Sequence, residues 1–212
     1  MACAICQTRR PRRFCPGVRG HICTLCCGTE REVTVDCPLD CEYLQEAHKH
    51  EKSALAEDAT LPNADIRVTD ELLNDNEELM GHLVGALVGE ALENPSLTDF
   101  DAREALEALI RTYRTLQTGL YYETLPANPL AAGLCRAARA AVEECRKEET
   151  ERLGVTRTRD AAVLGLLVFL QRFELERNNG RRRCRAFLDA LREIYPSEAA
   201  GGAVRGSSLL LP

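Results

Sequence analysis

Apolar residues recur at three- and four-residue spacing from Val68 onward, which marks a succession of amphipathic helices. Leu72, Leu73, Leu79, Met80, Leu83, Val84, Leu87, Val88, Ala91 and Leu92 lie on one stripe and predict a single long helix ending near Asn94-Pro95. Thr98 followed three residues later by Asp101 is a variant capping box. It opens a second helix whose buried face is Phe100, Leu106, Leu109, Ile110, Tyr113, Leu116, Leu120 and Tyr121. Asn128-Pro129 starts a third by the cap-then-proline rule, and Gly154 ends it. A fourth, from about Arg159 to Arg177, is apolar on nearly every face in its first half and belongs in the middle of a bundle. After the turn residues Asn178-Asn179-Gly180, Arg181 to Tyr195 predicts a fifth helix, stopped by Pro196. Ser197 to Pro212 reads as a disordered tail.

The first fifty-six residues follow another pattern. Arg12 to Cys15 and His21 to Cys23 flank the turn-rich Pro16-Gly17-Val18-Arg19-Gly20 and predict a short hairpin. Glu32 to Val35 alternates polar with valine and predicts a third strand. Pro38 and Asp40 suit a helix entry with Cys41 in the first turn, and helix formers continue to about Ala56. Residues 57–67, containing Leu61-Pro62-Asn63, read as a linker. The expected organisation is a small module at 1–56, the linker, an all-helical bundle of about five helices at 68–196, and a tail at 197–212.

Composition changes this picture in one respect. Eight of the eleven cysteines fall within the first forty-one residues. A unit below about 40 residues cannot be held together by burial alone and needs disulfides or metal. No apolar signal-peptide core precedes the cysteines, so a cytoplasmic protein is expected, and reducing conditions there favour metal over disulfides. The longest apolar run, Ala161 to Leu170, falls short of the roughly 20 residues that span a bilayer, so no membrane partner is expected.

Cys-x-x-Cys turns at Cys3–Cys6 and Cys23–Cys26 each point two sulfurs at one ion, and Cys15, Cys27, Cys37 and Cys41 supply four more. Eight thiols fit two zinc ions of four ligands each. The favoured pairing is interleaved: Cys3, Cys6, Cys23 and Cys26 in site one, Cys15, Cys27, Cys37 and Cys41 in site two. Adjacent Cys26 and Cys27 would point apart on an extended chain. His21 is the main competitor for site two, and His48 and His50 are expected to face solvent. A knuckle, a hairpin, a second knuckle and a ligand-bearing helix make a treble-clef-like order of parts. The fold class is therefore mainly α, a small zinc module with a short β-hairpin followed by an all-α bundle.

With Phe14-Cys15-Pro16 after a Cys-x-x-Cys start, the module resembles cross-braced zinc fingers of the HIT and MYND type. It departs from them at Val18, where a cysteine is usual, and in its Cys37-x-x-x-Cys41 ending. Cys26-Cys27-Gly28 and Cys37 to Leu44 also resemble uncharacterised bacterial proteins that carry Cys-Cys-Gly and Cys-Pro-x-x-Cys-x-Tyr-Leu motifs before a helical domain. That resemblance implies no assigned activity.

Charge narrows the functional classes. The formal net charge is −6; two zinc ions on eight thiolates would add −8 + 4 = −4 and bring it to about −10. Such a chain is not globally attracted to nucleic acid. Arg9, Arg10, Arg12, Arg13 and Arg19 nevertheless form a basic tip through which nucleic acid could bind. Residues 57–107 carry fourteen acids against two arginines, whereas Arg181, Arg182, Arg183 and Arg185 are bunched near the end. These runs are expected to be solvated faces that pair with one another within the bundle, the alternative being an arginine patch for an acidic partner. Four-thiolate zinc offers no position for a catalytic water. Glu78 and His82 share a helical face, but no second such motif completes a bundle metal site. Cys135, Cys145 and Cys184 read as core thiols. The expectation is a zinc-binding adaptor or regulator acting through protein contacts, not an enzyme. A nucleic-acid-binding regulator and a thiol or metal redox sensor are the alternatives, and oligomeric state is not set by the sequence.

Overall fold

The computed structural model describes residues 2–52, 61–120 and 122–195. The expected tail at Ser197–Pro212, the first part of the linker, the run from Ser53 to Ala56, and Tyr121 lie outside them. Among the described residues the chain is mainly helical, with eight helices and one two-stranded sheet.

The module begins with the hairpin β1 (Arg13–Cys15) and β2 (Gly20–Ile22), paired antiparallel with Phe14 opposite His21. Helix α1 (Thr24–Glu30) follows directly, so Cys26 and Cys27 are helical, not extended as the sequence suggested. They still diverge, because successive helical residues are rotated by about 100°. The expected strand at Glu32–Val35 is absent. The amides of Val33, Thr34 and Val35 all turn back to the Glu30 carbonyl, and only an isolated bridge joins Arg31 to Val35. Glu32 takes a left-handed φ of 54°, which closes this loop where a strand would have run on. A Cβ on Gly17 would meet the Asp36 carbonyl oxygen at 2.5 Å, so the hairpin turn and this loop touch where no side chain fits. Helix α2 (Glu42–His48) has Cys41 at its N-cap and ends earlier than expected.

The bundle comprises α3 (Asp70–Asp75), α4 (Glu77–Glu93), α5 (Asp99–Gln117), α6 (Pro129–Leu153), α7 (Asp160–Arg177) and α8 (Ala186–Ile194). The predicted first helix is two. Asn76 leaves the helical region at φ −123°, and its side chain donates to the Leu72 carbonyl at 2.8 Å, a local bond that competes with the helical ladder. The break lets Leu72 lie against α7, where a Cβ on Gly165 would sit 2.6 Å from a Leu72 methyl. The capping box at Thr98 and Asp101, the Asn128-Pro129 start and the Gly154 stop at φ 75° all form as read.

Helix α4 packs on α6, α5 on both α6 and α7, and α8 on α4 and α7. α7 is central, burying Val163, Leu164, Leu166, Leu167, Val168 and Leu170. The described part of the linker is tied down: Arg172 donates to the carbonyls of Asn63 and Ile66, and Arg114 pairs with Asp65. The last helix starts five residues later than expected because Arg181–Arg185 are used otherwise. Its first amides, those of Phe187 and Leu188, donate instead to the fully buried Asp99 of α5, whose carboxyl burial pushes up to about 6.

Candidate metal centre

Two chain reversals build the centre. In the first, Cys3 to Cys6 form a knuckle in which the Gln7 amide donates to the Cys3 carbonyl at 2.8 Å and Gln7 adopts a left-handed φ of 55°. In the second, Cys23 caps α1 and its sulfur accepts the Cys26 amide at 3.4 Å, while its own amide donates to the Cys3 sulfur at 3.2 Å. These bonds orient the sulfurs of Cys3 and Cys23. The Sγ atoms of Cys3, Cys6, Cys23 and Cys26 all lie within 4.8 Å of one another. Tetrahedral zinc with bonds of about 2.3 Å places its sulfurs about 3.8 Å apart, so the set fits one ion with only slight closure.

Ionisation within the set is divided. The Thr8 hydroxyl, with the amides of Arg9 and Thr8, brings the Cys6 thiol down to about 5. Burial, reinforced by Cys23, Cys6 and Cys3, pushes Cys26 up to about 12. Four clustered thiols cannot all ionise unaided, and a divalent cation resolves that conflict. The Arg9 guanidinium lies beside Cys6 and Cys23, which raise its pKa against a desolvation that works to lower it.

Among the described residues no second set of cysteines converges as closely. Cys15, Cys37 and Cys41 do share a small cluster with Val35 and Leu44. The Cys37 thiol is pushed up to about 12 there by burial and by the charges of Glu32, Cys15 and Cys41. Cys27 stands apart and takes a contact from the Arg13 guanidinium at 3.7 Å, while Arg13 also lies over the Tyr43 ring. His21 is exposed and meets Phe14 edge-on at 5.6 Å.

Behind the centre, the module is seated on the bundle by a buried polar seam that sequence reasoning missed. Glu32, fully buried, accepts the Arg185 amide at 2.6 Å, Asn179 at 2.8 Å and His48 at 3.1 Å; its carbonyl accepts the Arg183 amide at 2.8 Å. His48, expected at the surface, has a side chain only 8% exposed and bridges Glu32 and Asp189. Burial opposes its charge, but those two carboxylates prevail and raise its pKa to about 9, so both ring N–H groups donate. The Arg185 guanidinium, also buried, donates to the carbonyls of Cys37 and Ala91. Arg181 pairs with Glu51, Arg183 with Asp36, and Leu39 enters the bundle core. The acidic partner of the arginine run is thus the module itself. None of this had a local signal, because the partners lie up to 153 residues apart.

Elsewhere the picture is quieter. Glu78 and His82 are joined by Glu148, but the group is partly exposed and Glu78 is paired with Arg152 at 2.6 Å. Cys135, Cys145 and Cys184 are core thiols, the last donating to Asp99 at 3.0 Å. No helix among the described residues is long and apolar enough to cross a membrane. No family model, no curated protein and no solved structure matches the chain.

Proposed function

We propose that this chain is a zinc-binding adaptor that acts through contacts with other proteins. The ions would be one Zn²⁺ held by Cys3, Cys6, Cys23 and Cys26 and a second drawn by Cys15, Cys27, Cys37 and Cys41. The observation that carries the reading is the convergence of the first four sulfurs within 4.8 Å. Four thiolate ligands close the coordination sphere, so the ion serves as a brace for the module and offers no open position for substrate or water. For the second ion the support is the shared cluster of Cys15, Cys37 and Cys41, into which Cys27 must turn.

Nucleic-acid binding is the second reading, favoured by the exposed Arg10, Arg12 and Arg19 near Phe14. Two of the five arginines weigh against it, because Arg9 and Arg13 are engaged with cysteine sulfurs.

Mass spectrometry under native conditions tests the metal reading. Two zinc ions per chain are expected, falling to one in a Cys37→Ser, Cys41→Ser variant. A metal-free chain, or iron in place of zinc, overturns the zinc assignment.

A further inference from the structure

We propose that the outer face of the hairpin is the docking surface of this adaptor, and that its partner is a short acidic peptide segment carrying apolar side chains. The inference rests on the adaptor reading and adds to it the place and chemistry of contact. Its basis is the way charge is sorted across the module. Residues 2–29 contain no Asp or Glu, and all the acids of the module lie from Glu30 onward. Among those acids, Glu32, Asp36 and Glu51 are turned inward and are held by Asn179, Arg181, Arg183 and the Arg185 amide of the bundle. Every polar contact described between module and bundle starts from residues 31–51. Docking therefore engages Glu32, Asp36 and Glu51 and leaves Asp40, Glu42 and Glu46 exposed, while no arginine of residues 2–29 has a described polar contact with the bundle.

This basic pole has a chemistry of its own. Arg10, Arg12 and Arg19 are exposed and enter no ion pair among the described residues. Phe14 is 54% exposed on β1, and His21 stands opposite it on β2 with the rings edge to face. With both ions bound as proposed, the five arginines, six thiolates and first zinc of residues 2–29 sum to 5 − 6 + 2 = +1, and the second ion, shared with Cys37 and Cys41, adds to that. An open ring flanked by unpaired guanidiniums selects a carboxylate-rich chain with an apolar anchor.

A peptide is favoured over a nucleic acid by two features. The basic area is confined to one hairpin, while residues 57–107 carry fourteen acids against two arginines, so a long polyanion would be repelled beyond its first few charges. The rings of the pole are not a free stacking platform either: Tyr43, although 41% exposed, carries Arg13 over its ring, and His21 lies edge-on against Phe14, which leaves no succession of open faces for consecutive bases.

The test uses the full-length, metal-loaded chain against an array of short peptides graded in net charge and in Phe and Leu content, with oligo-dT as a competitor. Retention is expected to rise with negative charge and to require an apolar residue. Arg12→Glu with Arg19→Glu should lower affinity by about tenfold or more, and Phe14→Ala by a similar factor, while metal content and helicity stay unchanged. Retention independent of peptide charge, or unaltered in the hairpin variants, overturns the proposal. So does tighter binding of oligo-dT with a steep salt dependence, which would make the surface a nucleic-acid site. A chain that binds no zinc yet retains acidic peptides through Arg12 would sink the metal reading and leave this surface standing.

Discussion

At the scale of single residues, His48 is where charge and stability are most directly linked. It is a cation between two carboxylates, and its pKa in the folded protein, about 9, stands above the ordinary 6.5. A raised pKa means the folded state holds the proton more tightly than the unfolded one. The contribution is therefore complete below pH 6.5 and is lost as the pH rises through about 9. A shift of this size corresponds to roughly 3 kcal/mol as an upper bound. Urea unfolding of the metal-loaded chain at pH 6.5 and pH 9.5 should show a loss of this order, and His48→Gln should remove most of the difference. A His48→Gln curve parallel to wild type would show that cysteine titration accounts for the pH dependence. Glu32 is the counterpart: His48, Asn179 and the Arg185 amide hold its carboxyl below the usual range although burial works to raise it. Glu32→Ala removes the acceptor from all three and leaves His48 half-paired, at an expected cost of about 3 to 5 kcal/mol.

Between elements, the closest approach is that of the β1–β2 turn to the loop before Cys37. At Gly17 an added methyl meets a main-chain carbonyl, which cannot swing aside as a side chain can. Gly17→Ala should cost about 1 to 3 kcal/mol and shift the thermal midpoint downward. Gly165→Ala, which meets only the end of Leu72, should cost less. Much at this level was legible beforehand. The caps at Thr98, Asn128 and Gly154 and the buried run of α7 obey local rules, as did the pairing of two Cys-x-x-Cys turns into one site. The failures share a cause. Glu32 reads as a strand residue, Arg185 as a helix residue and His48 as a surface residue, until a segment more than 130 residues away supplies each with its partner. Periodicity carries no trace of such a contact. The break at Asn76 lies between these cases, since the residue type hints at it but the apolar stripe continues across it.

For the whole molecule, the cysteine-rich module and the bundle are joined through the segment from Glu32 to His48. Leu39 sits in the bundle core, and the Arg185 guanidinium holds Cys37 on one side and the end of α4 on the other. Chelation should therefore be felt beyond the module. Treatment with a strong zinc chelator is expected to speed amide hydrogen exchange at the C-terminal turn of α4 and the first turn of α8, while the middle of α7 stays protected. Exchange that rises only within residues 2–52 would show that the seam holds without the brace.

The distance along the chain between the two halves of that seam also bears on how the protein is made. His48 and its partner Asp189 are 141 residues apart. At about 5 to 20 residues per second of synthesis, roughly 7 to 30 s separate their appearance from the ribosome. Were the proposed ion captured as soon as the cysteines emerge, it would brace the module before Asp189 could anchor His48. A chain that stops short of α8 would leave His48 without Asp189, with Glu32 as its remaining carboxylate partner.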